Sequence, residues 1–119
     1  MVVPLQGELG TGKTTLVRGL LRARGISGAV KSPTFTLVEH YSISSLYFYH
    51  FDFYRFMSPN EWDSAGMSDY FRDDAVCIIE WPERAGGLLP DDRWDVELRV
   101  VENAPDRREV TVRKVGLPP

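Results

Sequence analysis

Apolar positions along the chain follow two different periods, and their order predicts a mixed α/β domain. Val2–Gln6 and residues 75–79 are short, nearly continuous apolar runs, which are typical of buried strands. Between residues 13 and 24, the apolar side chains at 16, 17, 20 and 21 share one face of a helix, and Gly25 is a natural end for it. The chain therefore begins with a strand, a loop and a helix.

Two pairs of strand-like segments predict β-hairpins. Residues 35–43 and 46–56 flank a Ser-Ser turn, and the second of these strands is rich in aromatic side chains. Apolar and polar residues alternate in 94–101 and 108–115, so we expect a half-exposed hairpin at a sheet edge. Between the hairpins, a capping box at 58–61 predicts the start of a helix, and residues 68–74 are predicted to form a second, short helix. We predict a single domain over residues 1–119, with six or seven strands in a mixed parallel and antiparallel sheet flanked by helices.

Composition excludes several classes of protein. With one Cys among 119 residues, an internal disulfide framework and a Cys-rich zinc site are excluded, and two His leave little for a His-based metal cage. A formal net charge of −3 argues against coating nucleic acid through bulk charge. No apolar run approaches the length of a membrane span, and we recognise no export signal. We therefore expect a cytoplasmic protein without a membrane segment.

The strongest motif is a phosphate-binding loop. Gly7-Glu8-Leu9-Gly10-Thr11-Gly12-Lys13-Thr14 fits G-x-x-x-x-G-K-[ST] and lies between the predicted strand and helix. The glycines allow backbone N–H groups to approach phosphate oxygens, Lys13 supplies a mobile positive charge, and the Thr14 hydroxyl suits Mg²⁺. The residues predicted to hold the nucleotide are Gly7, Leu9, Gly10, Thr11, Gly12, Lys13, Thr14 and Thr15.

A phosphate-loop enzyme also needs a carboxylate on the metal side, at the end of a buried strand. Asp52 and Glu80 both follow apolar runs, and alternation places Asp52 on the same strand face as His50. The alternatives are a strand face that looks at solvent for Asp52 and a strand-end carboxylate in water for Glu80. Which of the two lies closer to Mg²⁺ stays open at this point.

Two further positions have both a functional and an ordinary explanation. Thr34 lies in a Ser-Pro-Thr loop, at the distance where a γ-phosphate-sensing switch follows the first helix, but a plain turn is equally consistent. Trp81, next to Glu80, suits a stacking or partner surface as well as a core position. No Asn-Lys-x-Asp motif for reading guanine is present, which favours ATP. A Mg²⁺-dependent ATPase, a small-molecule P-loop kinase and a nucleotide-switched binding module all remain possible.

The residues together resemble the bacterial TsaE (YjeE) family, the small ATPase of the machinery that makes threonylcarbamoyladenosine in tRNA. The phosphate loop alone is generic, whereas the combination of segments is specific. The matching segments are Gly7 to Thr15, Ser32-Pro33-Thr34-Phe35, His50-Phe51-Asp52-Phe53-Tyr54-Arg55, Glu61 with Gly66, and Ile79-Glu80-Trp81-Pro82-Glu83.

The resemblance implies roles for the site residues. Lys13 and the loop amides bind ATP phosphates, while Thr14 and Glu80 ligate Mg²⁺. Asp52 matches a carboxylate needed for hydrolysis. The resemblance also implies that Thr34 lies in a switch-like loop and that Trp81 is a functional aromatic residue at a partner surface.

The resemblance further implies partners. The expected partners are TsaB and TsaD, the two homologous subunits of the modifying enzyme, with tRNA reached indirectly and ATP hydrolysis weak in isolation. The family carries a helical and strand segment ahead of the phosphate-loop strand. Only six residues precede Gly7 here, so we expect this segment to be missing.

Overall fold

A computed structural model describes residues 1–7, 12–26, 38–43, 46–54, 61–62 and 66–116, and these residues build one six-stranded sheet. Along the chain, the elements are β1 (Val2–Gln6), α1 (Lys13–Ala23), β2 (Val38–Ile43), β3 (Leu46–Asp52), β4 (Ala75–Glu80), β5 (Arg93–Val101) and β6 (Ala104–Val115). Short 3₁₀ helices at Met67–Tyr70 and Pro82–Leu88 flank β4. No helix among these residues is long and apolar enough to cross a bilayer.

The strand order in the sheet is β2-β3-β4-β1-β5-β6. The four inner strands run parallel, and each edge strand pairs antiparallel with the strand before or after it in the chain. Both predicted hairpins are therefore present, one at each edge. The structure confirms a P-loop NTPase-like α/β fold with a mixed sheet and a C-terminal hairpin.

The core lies on both faces of the sheet. On one face α1 packs Val17 and Leu21 against side chains from β1, β3 and β4. The other face holds a larger aromatic cluster that includes Phe51, Phe53 and Trp62. All six residues of β4 are buried, because this inner strand is covered on both faces. Its continuous apolar run predicted this position.

Two strand boundaries differ from the sequence-based prediction. β3 ends at Asp52 rather than continuing to residue 56, because the Tyr54 N–H donates to Asp52 Oδ1 at 2.9 Å and turns the chain. β6 begins at Ala104 rather than 108, so Pro105 lies inside a strand. Proline is tolerated there because β6 is an edge strand and one side of it makes no ladder bonds.

Two predicted helices have different outcomes. The predicted short helix over 68–74 is a 3₁₀ helix at Met67–Tyr70. Of the helix predicted from the capping box, Glu61 and Trp62 are helical, and residues 58–60 lie outside the described residues.

Candidate phosphate and metal site

Lys13 is the first residue of α1, and its charged side chain is buried. Gly12, which precedes it, has a left-handed backbone at φ 99° and caps the N-terminus of α1. The first N–H groups of a helix have no partner within the helix, so Lys13 lies next to unpaired N–H groups. The Lys13 side chain is 6% exposed, and its Nζ donates to the Gly7 carbonyl oxygen at 2.7 Å. The ammonium also lies 4.0 Å from the centroid of the Trp81 ring. It is therefore a fixed, desolvated cation at a helix N-terminus.

No described carboxylate forms an ion pair with Lys13. A buried ammonium is costly unless an anion compensates it, and one carbonyl and one aromatic ring offer only partial compensation. The helix N-terminus adds positive potential at the same place. The residues present therefore fit a phosphate group.

Asp52 and Glu80 are neighbours at the ends of parallel strands. They are register partners, so their Cα atoms lie about 4.8 Å apart across the β3–β4 pair. Both lie on the α1 face, since Phe48 and Ile78 share their strand parity and pack against α1. We call Asp52 and Glu80 the carboxylate pair.

Each carboxylate of the pair has one oxygen held by the protein. Asp52 Oδ1 accepts the Tyr54 N–H at 2.9 Å, and Glu80 Oε2 lies 2.5 Å from His50 Nε2. For the second oxygen of each group, the described residues provide no hydrogen-bond partner. Two oriented carboxylate oxygens therefore remain available at this end of the sheet.

The charge of Asp52 is disfavoured by its surroundings. Burial raises the pKa of Asp52 above its ordinary value of 3.8, and the nearby Glu80 carboxylate raises it further. The Tyr54 N–H opposes this shift of the Asp52 pKa, as do His50 and Lys13 to a smaller extent. A cation at the carboxylate pair would relieve the repulsion between the two acids.

The donor set fits Mg²⁺ bound together with phosphate. Mg²⁺ prefers oxygen ligands and is usually held by one or two carboxylates plus substrate phosphates rather than by a complete protein cage. Among the described residues there is no group of three or more His, Cys, Asp or Glu side chains that could hold a metal ion alone. Glu80 and the Thr14 hydroxyl, in the first turn of α1, would share the ion with a bound nucleotide, and Asp52 would lie beside it.

Trp81 lies between the aromatic core and the Lys13 ammonium. Its backbone is left-handed, at φ 57°, and its partly buried ring covers Lys13 and contacts Tyr54 at a centroid distance of 5.1 Å. It packs against the aromatic core but does not lie inside it. Arg84 is exposed and lies over the Tyr54 ring at 5.6 Å. This aromatic surface borders the buried ammonium.

Several predicted positions lie outside the described residues. Leu9, Gly10, Thr11 and Thr34 belong to this group, so their predicted roles remain predictions. Gly7, Gly12, Thr14 and Thr15 are described and lie around the start of α1, as the motif predicts. Lys13, Asp52 and Glu80 come together at one end of the sheet.

His50 is the functional candidate that the sequence did not resolve. Alternation placed it on the same face as Asp52, but nothing in the sequence pointed to Glu80 as its partner. The pairing of β3 with β4 brings the two side chains together, and His50 is 1% exposed. The one feature of the sequence that could have indicated a role for His50 is its position as a polar residue within an aromatic strand.

The fold and this site together define the class, a P-loop NTPase-like α/β protein. The family described as Threonylcarbamoyl adenosine biosynthesis protein TsaE matches residues 1–110. The chain therefore belongs to the TsaE family.

Relatives and a solved structure agree with this assignment. Three relatives are each named tRNA threonylcarbamoyladenosine biosynthesis protein TsaE. The chain is 52% identical to the one from Haemophilus influenzae, over 76% of this chain and 58% of that protein. It is 36% identical to the one from Bacillus subtilis, over 97% of this chain and 70% of that protein. It is 41% identical to the one from Treponema pallidum, over 93% of this chain and 80% of that protein. The crystal structure of Bacillus subtilis YdiB superposes with a TM-score of 0.78 at 33% identity, over 97% of this chain and 68% of that one.

Proposed function

We propose that this chain is a Mg²⁺-dependent ATPase that serves threonylcarbamoyladenosine modification of tRNA in the cytoplasm. In this proposal it acts on the complex of TsaB and TsaD and is not itself the transferase. Its contact with tRNA is indirect, which agrees with a formal net charge of −3. Family membership supports the pathway, and the site geometry supports the chemistry.

One observation carries the proposal. Lys13, 6% exposed and without a carboxylate in ion-pair contact among the described residues, lies at a helix N-terminus on the sheet face that also bears Asp52 and Glu80. A polyanion and a divalent cation together balance these charges, whereas either alone leaves a buried charge uncompensated. A nucleoside triphosphate with Mg²⁺ has this composition.

The chain's own groups would then divide the work. Lys13 and the first N–H groups of α1 would bind the phosphates, and the Thr14 hydroxyl and Glu80 would hold Mg²⁺. When bound, Mg²⁺ neutralises charge on the phosphate oxygens. Asp52, with one oxygen fixed by Tyr54 N–H, would orient the attacking water. The Glu80 carboxylate contributes to the raised pKa of Asp52, and a bound cation would offset that contribution.

The test measures ATP hydrolysis by the wild type and by Lys13→Met, with and without the TsaB–TsaD complex. Loss of the ammonium should weaken ATP binding at least 100-fold, because the buried cation has no substitute among the described residues. Turnover stimulated by the partners should fall to background. Lys114→Met is the matched control, since it removes the same charge from the edge strand β6 and should leave turnover unchanged.

Two outcomes would contradict the proposal. If Lys13→Met keeps the stimulated turnover, the site is not a phosphate site. If labelled γ-phosphate passes to a metabolite rather than to water, the chain is a small-molecule kinase.

A further inference from the structure

His50 is a buried polar side chain with one described partner. It lies on β3 with 1% of its surface exposed, and its Nε2 lies 2.5 Å from Oε2 of Glu80, which is 4% exposed. An ionised carboxylate only accepts hydrogen bonds, so the imidazole N–H is the donor. The hydrogen bond joins two inner strands of the sheet, β3 and β4.

A purely structural role accounts poorly for this side chain. Its second nitrogen, Nδ1, is buried and has no hydrogen-bond partner within the described part of the chain. A buried polar atom without a partner is costly, because the hydrogen bonds it makes to water in the unfolded chain are lost and not replaced. Phe48, two residues before His50, lies on the same face of β3, and a second aromatic ring at position 50 would fill the same space without that cost. The single gain that the described contacts offer is the hydrogen bond to Glu80.

That hydrogen bond restricts a flexible acid. A Glu side chain has three torsions, and a contact at Oε2 fixes the plane of the carboxylate and the direction of Oε1. Asp52 is held in the same way, through one oxygen, by Tyr54 N–H. Outer hydrogen bonds of this kind are the usual means by which proteins orient the carboxylates that bind metal ions.

We propose that His50 is a positioning residue that orients the Glu80 carboxylate toward the metal ion and phosphates. This inference rests on the proposed function, because it assigns His50 a role in the same site. His50 contacts neither nucleotide nor metal ion in this proposal, and it acts through Glu80 alone.

Two amide variants separate the nitrogen atoms of the imidazole. His50→Gln can place an amide N–H near the position of Nε2, whereas His50→Asn places it near Nδ1 and leaves Glu80 without its donor. His50→Phe keeps the ring and removes both nitrogens. Phe48→Leu is the matched control, because it perturbs a buried residue on the same strand and face without touching Glu80.

Calorimetric titration with ATP gives a readout besides turnover. We expect His50→Asn and His50→Phe to weaken binding of ATP in Mg²⁺ by about 10- to 100-fold and to leave binding in EDTA unchanged. His50→Gln should recover most of the Mg²⁺-dependent affinity. In a Glu80→Gln background, His50→Asn should have no further effect, because the Glu80 carboxylate through which His50 acts is already absent.

The contrary results are distinct. An equal loss of affinity in EDTA, a similar loss in Phe48→Leu, or a full effect of His50→Asn in the Glu80→Gln background would each assign His50 to structure alone. If the wild type binds no ATP, the proposed function itself fails. If His50→Phe does not fold, the comparison of the Gln and Asn variants decides the question.

Discussion

At the scale of single residues, the site consists of charges that the protein alone leaves unbalanced. Lys13 is buried without an ion-pair partner among the described residues, and the two acids of the carboxylate pair repel each other. The sequence predicted these three residues because their types and spacing follow from phosphate chemistry. It did not predict the contact of His50 with Glu80, because that contact depends on which strands become neighbours.

Asp52→Asn should make the protein more stable at neutral pH. The folded-state pKa of Asp52 lies above 3.8, so its carboxyl contributes stability below that pH, and this contribution is lost as the pH rises through the folded pKa. The neutral amide avoids the loss while its oxygen still accepts the Tyr54 N–H. Urea unfolding in EDTA should show the advantage of the variant at pH 7 and a shrinking difference as the pH approaches 3.8.

Asp52→Asn should also lower ATP hydrolysis about 100-fold while ATP binding is kept, which is the usual conflict between stability and activity.

For the stability prediction, Asp92→Asn is the control of opposite sign. A hydrogen bond from Lys114 lowers the pKa of the exposed Asp92, so removal of its charge should reduce stability at pH 7. A stability loss in both variants would show that the Asp52 charge is not disfavoured in the folded state.

At the scale of elements, local pattern predicted the strands and α1, but not their ends. β3 stops where the Asp52 side chain accepts a hydrogen bond from the Tyr54 N–H. β6 starts before Pro105, because an edge strand tolerates proline. Both boundaries depend on the position of the strand in the sheet. Sequence periodicity does not contain that information.

The turn of the C-terminal hairpin offers a test of local strain. Asn103 has φ 66°, and its neighbour Glu102 is not in the positive-φ region. Asn103→Ala should reduce the free energy of unfolding by about 1–2 kcal/mol, because alanine lacks the local hydrogen bonds that let asparagine adopt this conformation. Asn103→Gly should be no less stable than the wild type. Denaturant unfolding measures both variants.

Glu102→Ala is the control for the turn, and it should change stability by less than about 0.5 kcal/mol, as is usual for surface substitutions. Nucleotide binding should be unchanged in all three variants, since the turn lies in the hairpin of β5 with β6, at the edge of the sheet. Equal losses in the alanine variants at 102 and 103 would mean that the backbone of Asn103 is not strained.

At the scale of the whole molecule, the strand order joins the site to the core. β4 and β1 lie between the two hairpins, and β4, which carries Glu80, pairs with β1, the strand that leads to the phosphate loop. The sequence predicted two hairpins and two buried strands. Their order in the sheet comes from long-range pairing, which alternation along the chain does not specify.

Cys77, at the centre of β4, should report on opening of the whole sheet. Burial raises the pKa of its thiol to about 12, and its Sγ contacts the Tyr70 carbonyl oxygen, so the folded state offers a thiol reagent almost no thiolate. At pH 8 the labelling of this one cysteine should require separation of β4 from its neighbours. Its rate should rise with urea in parallel with global unfolding.

Ligand binding at the site should then protect Cys77, although the cysteine lies on the sheet face opposite α1. A nucleotide that binds the folded state alone, at 100 times its Kd, adds about 2.7 kcal/mol of stability. Labelling that proceeds through unfolding should therefore slow about 100-fold in ATP and Mg²⁺, and Lys13→Met should abolish the slowing. If nucleotide binds but labelling keeps its rate, β4 opens locally, and the site and the core are not one cooperative unit.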